Sequence, residues 1–306
     1  MTSFTGYQPI TVPNDFELGE YGLMSAVTWL TPSDSHWQNG IQYESNCFAL
    51  DITQDPCIIS GLGTDTQKLK TWSRAFRGST PFTVFGEIDC APLAGFWEDG
   101  QRLAIESLTN QRQYQLENTL WVGIGRGAAR VFPNLTWDGP ITDQGGRIIL
   151  QPDMLTPITG AAVDVVEALG VLEGTFARCY SGAGVVHVTL EVVAQMCANV
   201  LVYSQGGKLY TWAGNQVVIG RGYDRAVGIN GGVATVGTSY MFMTSPIFGI
   251  AGPVRSFDPV QSLDRSVNTV KFIAEQTHIL GWKCCLVGVP VSIGGVQAGT
   301  FGAATT

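Results

Sequence analysis

Charge is what this chain has least of. Asp, Glu, Lys and Arg make up 14% of its 306 residues, against about 25% in an average soluble protein. The deficit is gathered into whole stretches, since residues 226–254 and 284–306 contain none of the four. Long apolar runs are missing too: nothing approaches the ~18 consecutive apolar residues of a membrane-spanning helix, so a bilayer does not explain the missing charge. Charge keeps an exposed surface in water, and the economical explanation is that other protein covers much of this one. The chain reads first as a subunit of an assembly.

Other absences narrow the chemistry. The net charge of -8 leaves no basic stripe to displace counterions from phosphates, which argues against a dedicated nucleic-acid binder. The start, Met1-Thr2-Ser3-Phe4-Thr5-Gly6-Tyr7, lacks the basic and apolar regions of a signal peptide, so synthesis and folding in a cytosol are expected. The seven cysteines (Cys47, Cys57, Cys90, Cys179, Cys197, Cys284 and Cys285) form no C-x-x-C pair, and an odd count at irregular spacing favours buried free thiols over a disulfide framework. His36, His187 and His278 have no Glu or Cys at metal-ligand spacing. His187 sits in an apolar strand-like run and reads as a hydrogen-bonded structural histidine.

Neither a G-x-x-x-x-G-K-[ST] phosphate loop nor a G-x-S-x-G nucleophile elbow is present. Gly123-Ile124-Gly125-Arg126-Gly127 departs from G-x-G-x-x-G and follows a helix, so it reads as a helix exit and loop. Glu87 with Asp89, or Asp138 with Asp143, are conceivable acid/base pairs that nothing distinguishes from ordinary exposed carboxylates. No catalytic, cofactor-binding or metal-binding residue is assigned, and no cofactor is expected.

What is present is material for a large folded body. Hydrophobic residues make up 45% of the chain and the mean hydropathy is +0.15. Glycine, at 38 residues, is well above the usual ~7% and signals many turns and close backbone approaches. Residues 1–45 read as an extended arm: Pro9, Pro13, Gly19, Gly22 and Pro32 break any period while Phe4, Tyr7, Phe16, Tyr21, Trp29 and Trp37 are spread along it. Such an arm should lie against its own body or a neighbour.

Residues 46–90 read as a long excursion, leading out along 47–52 and back along Phe82–Ile88 with period-two character; an ordinary surface hairpin fits equally well. Lys68, Lys70, Arg74 and Arg77 lie between. A helix is expected from Glu98 to Val122, with Asp99 as cap and Gly123 as terminator. Its apolar positions are Ile105, Leu108, Leu116 and Leu120, with Arg112 in the gap. Residues 109–115 are polar all round, so the helix must lie over a sheet or bridge two bodies. Trp121 reads as an anchor into the core.

The middle third reads as an α/β unit. Thr159 opens a helix through Arg178, with Ala162, Val166, Leu169, Leu172 and Phe176 on one face and with Gly170 and Gly174 admitting a close neighbouring backbone. A strand at 185–188 and a helix from Leu190 to about Tyr203, capped by Thr189, follow. Lys208–Trp212 and Gln216–Ile219 form a hairpin around Gly214-Asn215. Beyond it, strands flank Ser245, and a ribbon runs from Asn268 to Ile293. The tail 294–306 is small and uncharged.

This order of parts resembles the Hong Kong 97-type major capsid protein of tailed bacteriophages, and in particular the head proteins of phages infecting actinobacteria. The stretches that carry the resemblance are Gln115–Gly123, Val185–Val188 with the helix after it, Gly207–Tyr223, and Asp264–Asn268 leading into the last ribbon. The resemblance implies an α+β capsid fold: an N-terminal arm (1–45), an extended β-hairpin loop (46–90), a peripheral domain with a long spine helix (91–159 and 258–293), an α/β axial domain (160–257) and a tail (294–306).

It also implies a structural, non-enzymatic role. Subunits would assemble in the host cytoplasm into pentamers and hexamers of the icosahedral head shell, around packaged double-stranded DNA touched weakly and non-specifically. A portal, a scaffold protein and a decoration protein are the expected partners, with no membrane. The scaffold is expected to be separate, since the chain starts with its arm. Some family members crosslink a loop lysine to a neighbour's asparagine. Lys68 and Lys70 match by location only, and a non-covalent shell is expected. The alternatives are an encapsulin-like nanocompartment shell and a motif-poor α/β enzyme.

Overall fold

Two large sheets joined by one long helix, with two two-stranded pairs beside them, make up the described fold. The computed structural model describes residues 19–32, 34–45, 75–90, 97–123, 131, 133–137, 141–142, 148–149, 154–256, 263–264 and 269–294. In chain order the elements begin with β1 (Thr28–Leu30), β2 (Ile41–Ser45), β3 (Ala75–Ser79), β4 (Phe82–Cys90) and α1 (Trp97–Val122). Next come β5 (Ile141–Thr142), β6 (Ile148–Ile149), β7 (Met154–Leu155), α2 (Val165–Cys179), β8 (Val185–Val188) and α3 (Leu190–Ala198). Then follow β9 (Val202–Gln205), β10 (Lys208–Thr211), β11 (Gln216–Ile219), β12 (Thr238–Thr244), β13 (Ile247–Ala251), β14 (Arg255–Ser256), β15 (Leu263–Asp264), β16 (Thr269–Trp282) and β17 (Leu286–Ser292).

The first sheet centres on β16, flanked on one side by β4 and on the other by β13, β14 and β15, with β1 beyond β13. On β16 the even residues Val270, Phe272, Ala274, Gln276 and His278 are buried while the odd ones from Thr269 to Thr277 are half-buried, the period of a strand with one covered face. That cover is α1. It lies so close that a Cβ on Gly86 of β4 would stand 2.4 Å from the Leu108 backbone nitrogen.

The second sheet runs β7-β17-β12-β8-β11-β10-β9 and is covered on both faces. Val186, Val188, Met241, Met243, Val287, Val289 and Val291 pack with α2 and α3. Val185, Phe242 and Leu286 turn the other way, into a cluster with Leu120 and Trp121 of α1. The 26-residue helix, about 39 Å long at 1.5 Å per residue, thus serves both sheets, and Trp121 is fully buried as an anchor.

Residues 19–45 lie against the chain's own body. Leu23, Val27 and Trp37 are buried, and β1 pairs in parallel with β13, Trp29 opposite Gly249. The chain leaves at Ser45 and stands opposite the same residue on its return at Ala75. The outgoing run at 47–52, together with Lys68, Lys70, Arg74, Arg126, Arg130, Asp138, Asp143 and Arg147, lies outside the described residues.

Several expectations are corrected. Helix α2 starts at Val165 rather than Thr159, because Val163 is still extended beside Val291 and Asp164 is the cap, accepting the N–H groups of Val166 (2.8 Å) and Glu167 (3.1 Å). Its buried face is therefore Val165, Ala168, Leu169, Leu172 and Phe176, with Val166 exposed. Gly170 and Gly174 face open space, not a close backbone.

Helix α3 stops at Ala198, since Val200 takes a positive φ of 53°, and Tyr203 belongs to β9. Thr189 sits at the N-cap of α3 but bonds the Ser239 hydroxyl instead of the helix. The expected ribbon is two strands in two sheets, broken at 283–285 where Cys285 takes a φ of 40°.

The free-thiol expectation also fails. Cys179 and Cys285 form a disulfide, Cys284 is disulfide-bonded, and Cys197 is free but exposed. Residues 106 apart in sequence meet because α2 packs along β17. Finally, part of the uncharged sequence is the chain's own core: Met241, Phe242, Met243, Ile247 and every residue from Cys284 to Val291 are buried within this subunit. The surface explanation still applies to the exposed uncharged residues, chiefly the loop around 230–236 among those described.

Candidate functional site at the joint between the sheets

The polar centre of α1 is polar all round because each side meets a different partner. Arg112 donates to the Gln276 side chain of β16 at 3.3 Å. Gln115 accepts the Phe85 N–H (3.2 Å) and donates to the Phe85 carbonyl (3.0 Å), sealing one point on the outer edge of β4. Gln113 donates to Glu117 at 2.9 Å.

Glu117 is the centre of the joint. It is fully buried and accepts the backbone N–H of Leu23 at 3.1 Å and of Gly222 at 3.0 Å. It thereby ties the N-terminal segment, α1 and the loop after β11 together. Burial raises its pKa, and the N–H donors of Gly222, Leu23, Gln113 and Arg221 only partly offset that. Burial, and then the Glu117 charge, push the Tyr223 phenol well above its ordinary value.

The Tyr223 hydroxyl is hydrogen-bonded to His187 Nδ1 at 2.8 Å, and His187 Nε2 to the Thr244 hydroxyl at 3.1 Å. Burial lowers the His187 pKa to about 3, so the ring is neutral, the structural role expected for it. Trp121 stacks on Tyr223 with ring centroids 4.7 Å apart and donates to the Val227 carbonyl at 3.1 Å. An acid, a phenol and an imidazole are in line here, but all three are buried and committed to neighbours, so the arrangement fastens elements rather than meeting a substrate.

Glu87 and Asp89 share one side of β4 and line an open groove with Ser107, Gln111, Tyr114 and Gln115, where Glu87 is ion-paired with Lys271. His36 is exposed beside Asp34. His278 is buried between Trp29 and Phe82, and burial followed by the Arg112 charge lowers its pKa to about 4. Among the described residues no three His, Cys, Asp or Glu side chains are grouped to hold a metal ion, and no helix is long and apolar enough to cross a membrane.

Among the described residues, the most exposed large apolar side chains lie at two places, around Trp212 and in the loop before β12. Trp212 is 69% exposed and lies against Tyr203, ring centroids 5.0 Å apart. It donates to the carbonyl of the exposed Val200 at 2.7 Å. In the uncharged loop, Val233 is 92% and Val236 70% exposed. Glu117 and Tyr223 lie inside two of the stretches that carry the resemblance, but no local signal marks them. A glutamate in a polar helical stretch looks like a solvated charge until the loop at 220–223 closes over it.

No protein-family model matches the sequence, and no curated protein matches it. Solved structures do. A chain of the capsid of Ralstonia phage GP4 is similar over 95% of this chain and 98% of its own, at 9% identity and a TM-score of 0.50. A chain from Microbacterium phage Oxtober96 is similar over 94% and 95%, at 10% identity and a TM-score of 0.51. One from Mycobacterium phage Cain matches over 92% and 90%, at 13% identity and a TM-score of 0.50. The α+β fold is the Hong Kong 97-type capsid fold, in agreement with the sequence.

Proposed function

We propose that this chain is the major capsid protein of a tailed bacteriophage, a structural subunit and not an enzyme, which assembles with copies of itself into pentamers and hexamers of an icosahedral head. The observation that carries this reading is the end-to-end match in fold with the phage GP4 capsid chain. The exposed Trp212 beside Tyr203 and Val200, and the exposed Val233 and Val236, support it, because large apolar side chains left in solvent are covered when other protein binds there.

On this reading the first sheet with α1 is the peripheral domain and the second sheet with α2 and α3 the axial domain. This moves β13 and β14 out of the axial domain expected at 160–257 and β17 out of the peripheral domain expected at 258–293, following their sheets. The excursion between Ser45 and Ala75 is the extended loop, residues before it the arm. Each subunit would bury more than the ~800 Å² per partner of a standard interface, and many weak contacts at ~25 cal/mol per Å² sum to a closed shell. The protein would reside in the virion after assembly in the host cytoplasm. Its partners would be a portal, a scaffold, a decoration protein and, weakly, the packaged DNA.

Negative-stain electron microscopy and sedimentation of the purified protein test the reading. Closed particles or capsomers are expected, and a dilute, stable monomer under all assembly conditions sinks it. Particles filled with a cargo enzyme instead of DNA select a nanocompartment.

A further inference from the structure

The chain passes between its two sheets at Ser245-Pro246 and again at Lys283–Cys285, and the two crossings hold each other. The Cys284 N–H donates to the Ser245 hydroxyl at 3.0 Å, and the Ser245 N–H points back at the Cys284 carbonyl at 3.4 Å. Cys285, the next residue, is bonded to Cys179 with Cα atoms 6.0 Å apart, within the 4.4–6.8 Å that disulfides require. Cys179 is the last residue of α2, the helix that covers one face of the second sheet. One covalent bond therefore clamps that helix to the point where the first sheet becomes the second.

We propose that Cys179–Cys285 is a thiol–disulfide switch that sets how firmly this joint is held. The oxidant is a low-molecular-weight disulfide of the glutathione type. The thiolate of Cys179, which is partly exposed where Cys285 is buried, attacks one sulfur of RSSR, forming a mixed disulfide and releasing RS⁻. The Cys285 thiolate then attacks the Cys179 sulfur, forming the protein disulfide and releasing the second RS⁻. The two protons lost by the cysteines end on two RSH, the cysteines are oxidised by two electrons, and RSSR is reduced. Excess RSH reverses both steps.

Exposed cations lie near both cysteines in sequence, Arg178 before Cys179 and Lys283 two residues before Cys285, and they attract an anionic disulfide such as oxidised glutathione. A reducing cytosol leaves the bond open and an oxidising exterior closes it. Closing a loop this long restricts the unfolded chain and raises stability. The switch does not depend on the capsid reading; only its biological timing, open during assembly and closed after release, rests on it.

The test equilibrates the wild-type protein in mixtures of reduced and oxidised glutathione, counts bonded cysteines by alkylation and mass, and measures Tm. The oxidised form is expected to melt roughly 3–8 °C higher, in step with the Cys179–Cys285 cross-linked peptide. Cys179→Ser should lose the part of the glutathione response that tracks the Cys179–Cys285 peptide and keep only what the bond of Cys284 supplies. Equal melting of both wild-type forms, within about a degree, overturns the proposal, as does a full glutathione response in Cys179→Ser, which would assign the effect to the bond of Cys284. If the variant fails to fold, hydrogen exchange of the wild type decides: faster exchange over 165–184 on reduction is expected, and unchanged exchange overturns the proposal.

Discussion

The carboxylate of Glu117 accepts the backbone N–H of Gly222 at 3.0 Å, and only a glycine can stand there. A Cβ at 222 would lie 2.2 Å from the Tyr114 carbonyl oxygen and 2.9 Å from the Asn118 nitrogen. The helix that rests on the first sheet and the loop that leaves the second are thus in backbone contact, with one buried acid accepting the donors that this contact strands. Removing that acid should loosen the joint without touching either sheet's interior.

Glu117→Ala is expected to lower folding stability by roughly 2–4 kcal/mol, since the Leu23 and Gly222 N–H groups lose their acceptor in a buried site. Denaturant unfolding at pH 7 measures it. Glu117→Gln should cost less and should change the pH dependence. Burial raises the folded-state pKa of Glu117, so its contribution is full below the unfolded pKa and is lost as pH rises through the folded value. The wild type should therefore gain on the Gln variant as pH falls through that window. A constant gap between them argues against the assignment.

His187 and His278 act in the opposite direction. Their folded pKa values, lowered to about 3 and about 4 by burial, lie below the unfolded value of about 6.5. Their contribution is complete above pH ~6.5 and is lost as pH falls toward the folded values. Acid unfolding should begin below pH ~6 and involve several kcal/mol on the order of magnitude. His187→Gln should be less stable at pH 7, with Tyr223 and Thr244 less well bonded. Its deficit should shrink with acidification when melts are followed from pH 7 to 4.

Two glycine substitutions should have opposite signs. Gly86→Ala places a methyl against the α1 backbone and should destabilise by more than about 2 kcal/mol. Gly170→Ala, inside α2 with nothing within 4 Å of the new methyl, should stabilise the isolated subunit by about 0.5–1 kcal/mol. Thermal melts of the dilute protein read both.

Val233→Glu, at a site 92% exposed, should leave subunit stability within about 0.5 kcal/mol while blocking particle formation. Equal particle yields by electron microscopy, at equal subunit stability, would remove the 230–236 loop from the assembly contacts.

Much of the architecture was legible from local pattern. Helix α1 starts one residue before the expected Glu98 and ends at Val122 before Gly123, as expected, although Asp99 lies inside its first turn, bonded to Arg102, and is not its cap. The β10–β11 hairpin closes around Gly214-Asn215 as its turn chemistry predicts. The strand at 185–188 and the structural reading of His187 also follow from an apolar run with one polar member. These features depend on near neighbours in the chain, so residue type and spacing suffice.

Local pattern misled where a competing signal lay a few residues off. Asp164 outcompetes Thr159 as a cap and rotates the buried face of α2. Val200 ends α3 through a backbone conformation that valine rarely adopts.

What the sequence by itself determined, then, is the order of elements, the poverty of charge and the lack of any catalytic signature, all properties of composition and short-range period. Tertiary structure alone decided which sheet each strand joins, that Cys179 meets Cys285, that Glu117 is buried, and which of the uncharged residues are core. Each of these depends on groups more than a hundred residues apart, or on which side of a strand faces a helix. Burial changes from alternating along most of β16 to unbroken along β17, because the first sheet is covered on one face and the second on both, and only the tertiary structure shows that the chain changes sheets there.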